Sequence, residues 1–176
     1  MDRRMILITL SAILMAAAPV LAQEGKANNP NGIDLSNKWG VGYRFGILTG
    51  NDDEVDWDYS NAFSVIRMFS ENVGVEAEYA HYSGDDDGNS LFASLVLAAS
   101  PVDIYVPYAK GGIGLQHRGG FGKMFTSTNS ISGIMGAGVE AFFAKDIGVN
   151  LEADYDIAGS NTSNNWQWRL GARLYF

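Results

Sequence analysis

The residues of this chain that could do chemistry fall into three clusters. His81 and Ser83 stand one residue apart in "AHYSG". Positions two apart on an extended strand share a face, which is the placement a general base and a hydroxyl nucleophile need. Glu152, Asp154 and Asp156 alternate along "VNLEADYDI". Three carboxylates on one strand face can serve acid/base or metal chemistry, or can be one half of an ion-pair network. Arg169 and Arg173 in "WQWRLGARLYF" are spaced to supply the other half, and the network is the simpler reading. "DDDGNS" gathers carboxylates from Asp85, yet it lacks the alternating ligands and distal Glu of an EF-hand loop and reads as a solvated loop. No metal and no cofactor is expected. Cysteine is absent, which excludes disulfides, thiol catalysis and thiolate metal sites.

The elements that position these residues come from the whole of the 176-residue chain. Its start, "MDRRMILITLSAILMAAAPVLAQEG", has Arg3 and Arg4, an apolar run from Met5 and small residues up to Ala22. That is the pattern of a secretory signal peptide over 1–22. The polar stretch 23–37, with Pro30 and its asparagines, is expected to be a poorly ordered periplasmic lead. The formal net charge of −8 does not suit a nucleic-acid partner. After the signal the longest apolar run, "LFASLVLAA", is far too short for a membrane helix, so any membrane crossing must be made by strands.

From Lys38 to Phe176 the pattern is strand, turn, strand. In "KWGVGYRFGILTG" Trp39, Val41, Tyr43, Phe45 and Ile47 share one face, with Arg44 and glycines on the other. "SNAFSVIRMFS" follows with an uncertain phase; placing Arg67 on the same side as Arg44 requires a local slip or bulge. In "VGVEAEYAHYSG" Val73, Val75, Ala77 and Tyr79 oppose Glu76 and Glu78, whereas "NSLFASLVLAAS" is apolar on both faces and its phase is weakly specified. "DIYVPYAKGGIGLQH" carries Lys110 opposite Ala109, Ile113 and Leu115, and "ISGIMGAGVEAFFAK" carries Glu140 among glycines. The strands ending in Ile157 and Phe176 alternate throughout. Period-two alternation of this length predicts strands and excludes amphipathic helices.

Short connections ("SENVG", "SPVD", "AKDIG") alternate with longer ones ("GNDDEVDWDYS", "SGDDDGNS", "QHRGGFGKMFTSTNS", "GSNTSNN"). Eight strands with short turns at one end and long loops at the other are the layout of a transmembrane barrel. A soluble barrel puts its apolar face inside and a small membrane barrel puts it outside. The signal peptide and the aromatics near strand ends (Trp39, Tyr105, Phe143, Trp166, Phe176) select the second. The expected fold is therefore an all-β, eight-stranded, antiparallel, up-and-down transmembrane β-barrel over 38–176. The expected lumen network joins Arg44, Arg67, Lys110, Arg169 and Arg173 to Glu76, Glu78, Glu140, Glu152, Asp154 and Asp156. An eight-stranded barrel is just wide enough for side chains to fill, so the lumen is expected to be plugged, with inward glycines making room.

The alternating strands, "VPYAKGGIGL", "ENVGVEAEY" and the terminal "RLGARLYF" resemble the small outer-membrane β-barrel family, the OmpA/OmpX-like transmembrane domains and related surface antigens of Gram-negative bacteria. The resemblance covers Trp39 to Phe176. It implies location in the cell outer membrane, contact with outer-membrane lipids and lipopolysaccharide, and a terminal strand read by the barrel-assembly machinery. That last role would fall to Phe176, with Leu174 and Trp168 on the same face. "HYSG" also resembles the His-x-Ser of the lipid A 3-O-deacylase barrels, although here it lies on the third strand and no suitably spaced Glu orients His81.

The function expected from these readings is non-enzymatic: envelope structure and surface interaction through the long loops. The third loop, with His117, Arg118, Phe121, Lys123 and Phe125, is basic and aromatic and is suited to lipid phosphates or a host or other extracellular ligand. The alternatives are a lipid A deacylase-like hydrolase using His81 and Ser83, or a narrow, porin-like pore.

Overall fold

The computed structural model describes residues 32–49, 57–83, 88–118, 130–157 and 165–176. The expected signal peptide, the lead before Gly32, the acidic 85–87 and the basic and aromatic Phe121, Lys123 and Phe125 lie outside the described residues. Eight strands run in chain order: β1 Trp39–Thr49, β2 Trp57–Met68, β3 Val73–Ser83, β4 Gly88–Ala98, β5 Tyr105–Arg118, β6 Ser130–Ala144, β7 Ile147–Ile157 and β8 Asn165–Tyr175. Each pairs antiparallel with the next, and β1 pairs with β8, so the sheet closes into an up-and-down barrel. Closure removes both sheet edges. At the seam Trp39 N–H donates to the Phe176 carbonyl at 3.0 Å, and Phe176 N–H donates to the Trp39 carbonyl at 2.8 Å.

One end of the barrel holds the turns 69–72, 99–104 and 145–146 together with Phe176; the connections 50–56, 84–87, 119–129 and 158–164 leave the other. The acidic second loop is shorter than its sequence suggested, because β4 takes up Gly88, Asn89 and Ser90. The register is regular except for a bulge between Phe142 and Ala144, opposite β7.

Strand alternation sets the two faces. Tyr43, Phe63, Ile113, Ile131, Trp168 and Leu170 point outward and are exposed. Arg44, Glu76, Glu152, Asp154, Gln167 and Arg169 point inward and are buried. β4, apolar on both faces, takes the phase that puts Leu91, Leu95 and Leu97 outside and Phe92, Val96 and Ala98 inside. The choice follows from its neighbour: Phe92 registers opposite Gly114 of β5, where a Cβ would lie 2.6 Å from the Phe92 ring.

Two expectations are corrected. Arg67 is not in the lumen. β1 and β2 pair without a slip from Trp39↔Arg67 to Thr49↔Trp57, which puts Arg67 on the outer face beside Trp39. Its guanidinium sits 5.3 Å from the Trp39 ring centroid and donates to the Asn37 carbonyl. A long cationic side chain at a strand end can lie along an aromatic and still reach water, so alternation is kept and no bulge is needed. The lead, too, is ordered over its last residues. Ile33 and Leu35 are buried at the turn end of the lumen with Ile66, Met68, Val96, Val106, Phe142 and Tyr175. Asn37, at φ 59°, reverses the chain out of the lumen and into β1.

Candidate functional site

The charged lumen is built in layers above that apolar floor. Tyr175 and Arg173 both donate to Glu140 Oε2, each at 2.9 Å. Arg173 reaches on to Glu76 Oε1 at 2.7 Å, and the same oxygen accepts from Arg44 at 2.6 Å. Arg44 also donates to Glu78, whose other oxygen accepts from Arg169 at 2.6 Å. Glu152 takes Lys110 at 2.9 Å and Tyr108 at 2.8 Å, and pairs with Arg169 at 3.0 Å. Arg169 and Lys110 close the layer on Asp154. At the loop end Asp156 Oδ2 accepts from Gln167 at 2.6 Å and from Tyr82 at 3.3 Å.

The local sequence explains why such long side chains fit. β2 and β4 carry no charged residue in this part of the lumen; they supply Ser60, Ala62, Ser64, Ser90 and Ser94, and Arg44 on β1 spans β2 to reach β3. A Cβ at Gly171 would meet Arg44 Cγ at 2.6 Å, and one at Gly136 would meet Asp154 Oδ1 at 1.8 Å. These glycines hold the volume that the charged side chains occupy. Four cations face six carboxylates in the lumen, since Arg67 is outside. The arrangement fits structural ion pairing. Among the described residues no group of three His, Asp or Glu side chains is placed to hold a metal ion.

His81 and Ser83 lie on the outer face near the loop end of β3, both half-buried. The sequence offered no orienting carboxylate for His81. The register supplies a different acceptor, Asn89 of β4, directly opposite. His81 Nδ1 lies 3.1 Å from Asn89 Oδ1, and Tyr79 OH donates to the same oxygen at 2.5 Å. An amide oxygen only accepts, so Asn89 is the acceptor of both contacts. Asn89 could be found only once the β3–β4 register was known. His117 registers on the far side of Asn89 and is buried.

The turn end is tied by Lys38, whose ammonium donates to Asp146 Oδ1 at 2.5 Å. That bond holds the Asp146 carboxyl below its ordinary range. The outward aromatics Trp39, Phe69, Tyr105, Phe143 and Phe176 ring this end.

A closed eight-stranded barrel that is apolar outside and ion-paired inside has the architecture of the small outer-membrane barrels. No protein-family profile and no curated protein matches the chain in sequence. Solved structures do match in fold. The N-terminal barrel of Pseudomonas aeruginosa OprF superposes with a TM-score of 0.65 at 15% identity, over 80% of this chain and 98% of that one. Neisserial surface protein A gives 0.60 at 13%, over 79% and 96%. A barrel from the de novo design of transmembrane β-barrels gives 0.58 at 13%, over 80% and 97%. At these identities the likeness shows the fold and leaves function open, as the designed barrel among the matches illustrates.

Proposed function

We propose that this chain is an outer-membrane protein of structural and surface-interaction type, which crosses the bilayer through its barrel and presents its loops outside. The observation that carries the reading is the inverted amphipathicity of the closed sheet. Isoleucine, leucine and aromatic side chains cover the outside, and the lumen is closed by a continuous ion-pair lattice. Such an exterior is costly in water and favourable in hydrocarbon. A lumen filled from Glu140 to Asp156 favours a scaffold over a pore. Lipids of the outer membrane, lipopolysaccharide among them, are the surrounding partners, and an extracellular ligand would meet the loops. On this reading Phe176, Leu174 and Trp168 form the strand end recognised during assembly. Cell fractionation should recover the protein with outer membranes, in a heat-modifiable, detergent-requiring form. Planar-bilayer recordings should show no stable channel; steady voltage-independent conductance would remove the filled-lumen reading.

A second reading is favoured by one bond. Asn89 Oδ1 lies 3.1 Å from His81 Nδ1 and would hold the ring on the face of β3 that Ser83 shares, as ester hydrolysis by Ser83 would need. Release of acyl chains from lipid A by the parent, lost in His81→Ala and in Ser83→Ala, would establish it. Unchanged lipid A in all three removes it.

A further inference from the structure

The charges of the lumen do not balance. Arg44, Lys110, Arg169 and Arg173 face Glu76, Glu78, Glu140, Glu152, Asp154 and Asp156, all of them buried. The first five carboxylates are each ion-paired with one or more of these cations. Asp156 forms no ion pair among the described residues. Its Oδ2 accepts from the neutral Gln167 at 2.6 Å and from Tyr82 OH at 3.3 Å. Its Oδ1 is shut away from solvent and has no hydrogen-bond partner, in a residue only 2% exposed. A buried carboxylate oxygen with no donor, in a lumen with excess negative charge, is costly unless a positive charge joins it.

The surroundings of Asp156 are rich in oxygen. Tyr82 OH lies 3.0 Å from Ser90 Oγ, and Ser60 Oγ donates to Gln167 Oε1 at 3.4 Å. Strands β2, β3, β4, β7 and β8 thus bring neutral oxygen-bearing side chains and one carboxylate to the loop end of the lumen. Oxygen donors of this kind suit a hard cation. One free carboxylate matches a single positive charge. A divalent ion wants more, and among the described residues no three acidic or histidine side chains gather to hold one. A proton on Oδ1 would find no acceptor within hydrogen-bond reach.

We infer that the loop end of the lumen binds a monovalent alkali cation, with Asp156 Oδ1 as its charged ligand and the hydroxyl oxygens of Tyr82 and Ser90 beside it. The inference goes beyond the function proposed above and needs only the folded barrel. The ion offsets part of the negative excess of the lumen. It also adds a tie between β3, β4 and β7 at the end from which the long connections leave. The kind of cation outside, and not ionic strength alone, then bears on how firmly that end is held.

The test uses the full chain folded in detergent micelles and its urea unfolding midpoint. Sodium or potassium chloride is compared with choline chloride at equal ionic strength and about pH 8, where an aspartate is ionised. Choline is too large for the site. The parent midpoint should rise when either alkali cation replaces choline, and the rise should vanish in Asp156→Asn. An ion at ten times its dissociation constant shifts the folding equilibrium about tenfold. The sodium NMR line should be broadened by the parent and not by Asp156→Asn. Heat-modifiable mobility shows which variants are folded. Tyr82→Phe keeps the carboxylate and removes a neutral oxygen, so its rise should be smaller than the parent's, which decides the matter if the asparagine variant does not fold. A parent midpoint that is the same in choline and in alkali chloride overturns the inference. So does an equal rise in parent and Asp156→Asn, which is screening of other charges, and so does an undiminished rise in Tyr82→Phe. Stability that ignores the cation, increases on acidification and loses that increase in Asp156→Asn assigns the missing charge to a proton and overturns the site as well.

Discussion

Arg44 on β1 and Glu76 on β3 are joined at 2.6 Å across the lumen, over the small side chains of the intervening β2, and both are buried. Glu76 Oε1 also accepts from Arg173 of β8, so one carboxylate oxygen ties three strands. The lattice thus acts as an internal set of cross-braces between strands that the backbone ladder does not pair. Arg44→Met removes the guanidinium and leaves Glu76 and Glu78 buried with fewer partners. Loss of one partner of a buried pair costs about 3–5 kcal/mol. Urea unfolding in detergent micelles, followed by the heat-modifiable mobility shift, should show a destabilisation of that order. A midpoint within error of the parent would mean that the lattice is a filler and not a brace.

Asp156 should behave in the opposite way. It forms no ion pair among the described residues and takes its bonds from the neutral Gln167 and Tyr82. With four lumen cations against six carboxylates, it is the acid whose charge is least compensated. An asparagine keeps an acceptor for Gln167 and removes the uncompensated charge. Asp156→Asn is therefore expected to leave stability within about 1 kcal/mol of the parent or to raise it, whereas Glu152→Gln, which weakens bonds from Lys110, Tyr108 and Arg169, should lower it by more than that. The same unfolding titration ranks the two.

The sequence disclosed most of this arrangement where alternation was strict. β1, β3, β7 and β8 have one charged or glycine-bearing face and one apolar face, so their phase and the inward placement of Arg44, Glu76, Glu152 and Arg169 could be read directly. It failed where a residue is compatible with either side. Arg67, near a strand end, can be satisfied by a lumen acid or by an aromatic and a backbone carbonyl outside; only the β1–β2 register decides. β4 has two apolar faces, and Gly114 on its neighbour breaks the tie. Ile33 and Leu35 alternate within a polar stretch, a weak signal that a short segment buries one face. The bond from His81 to Asn89 joins residues on different strands and had no sequence signature.

The buried Ile33 and Leu35 make the segment before β1 part of the folded unit. They close the turn end of the lumen with Phe142 and Tyr175, whose rings stack at 5.7 Å. Truncating either to alanine should cost about 2 kcal/mol or more, the lower range for buried aliphatic side chains, because an end segment relaxes more easily than a core strand. The double variant should also become susceptible to trypsin at Lys38, which the parent holds against Asp146. Equal resistance and an unchanged midpoint would mean that the segment adds nothing to the barrel.

Asp146 offers a pH test outside the barrel strands. Its carboxyl is held below the ordinary value of 3.8, first by the hydrogen bond from Lys38 and then by the lysine charge. A carboxylate whose folded-state value is depressed contributes stability that is fully present above its unfolded value and is lost as the pH falls through the folded one. The contribution of the Lys38 pair should therefore be constant at neutral pH and fade below about pH 4, the usual range of an aspartate. Asp146→Asn removes the titrating group. The difference in unfolding midpoint between parent and variant should be present at pH 7 and should shrink as the pH is lowered below that range. Because the pair is only half-buried, 0.5 M salt should also narrow the gap at pH 7 by screening it. A gap that is the same at pH 7 and pH 3 would show that the asparagine acts through the turn conformation and not through the ion pair.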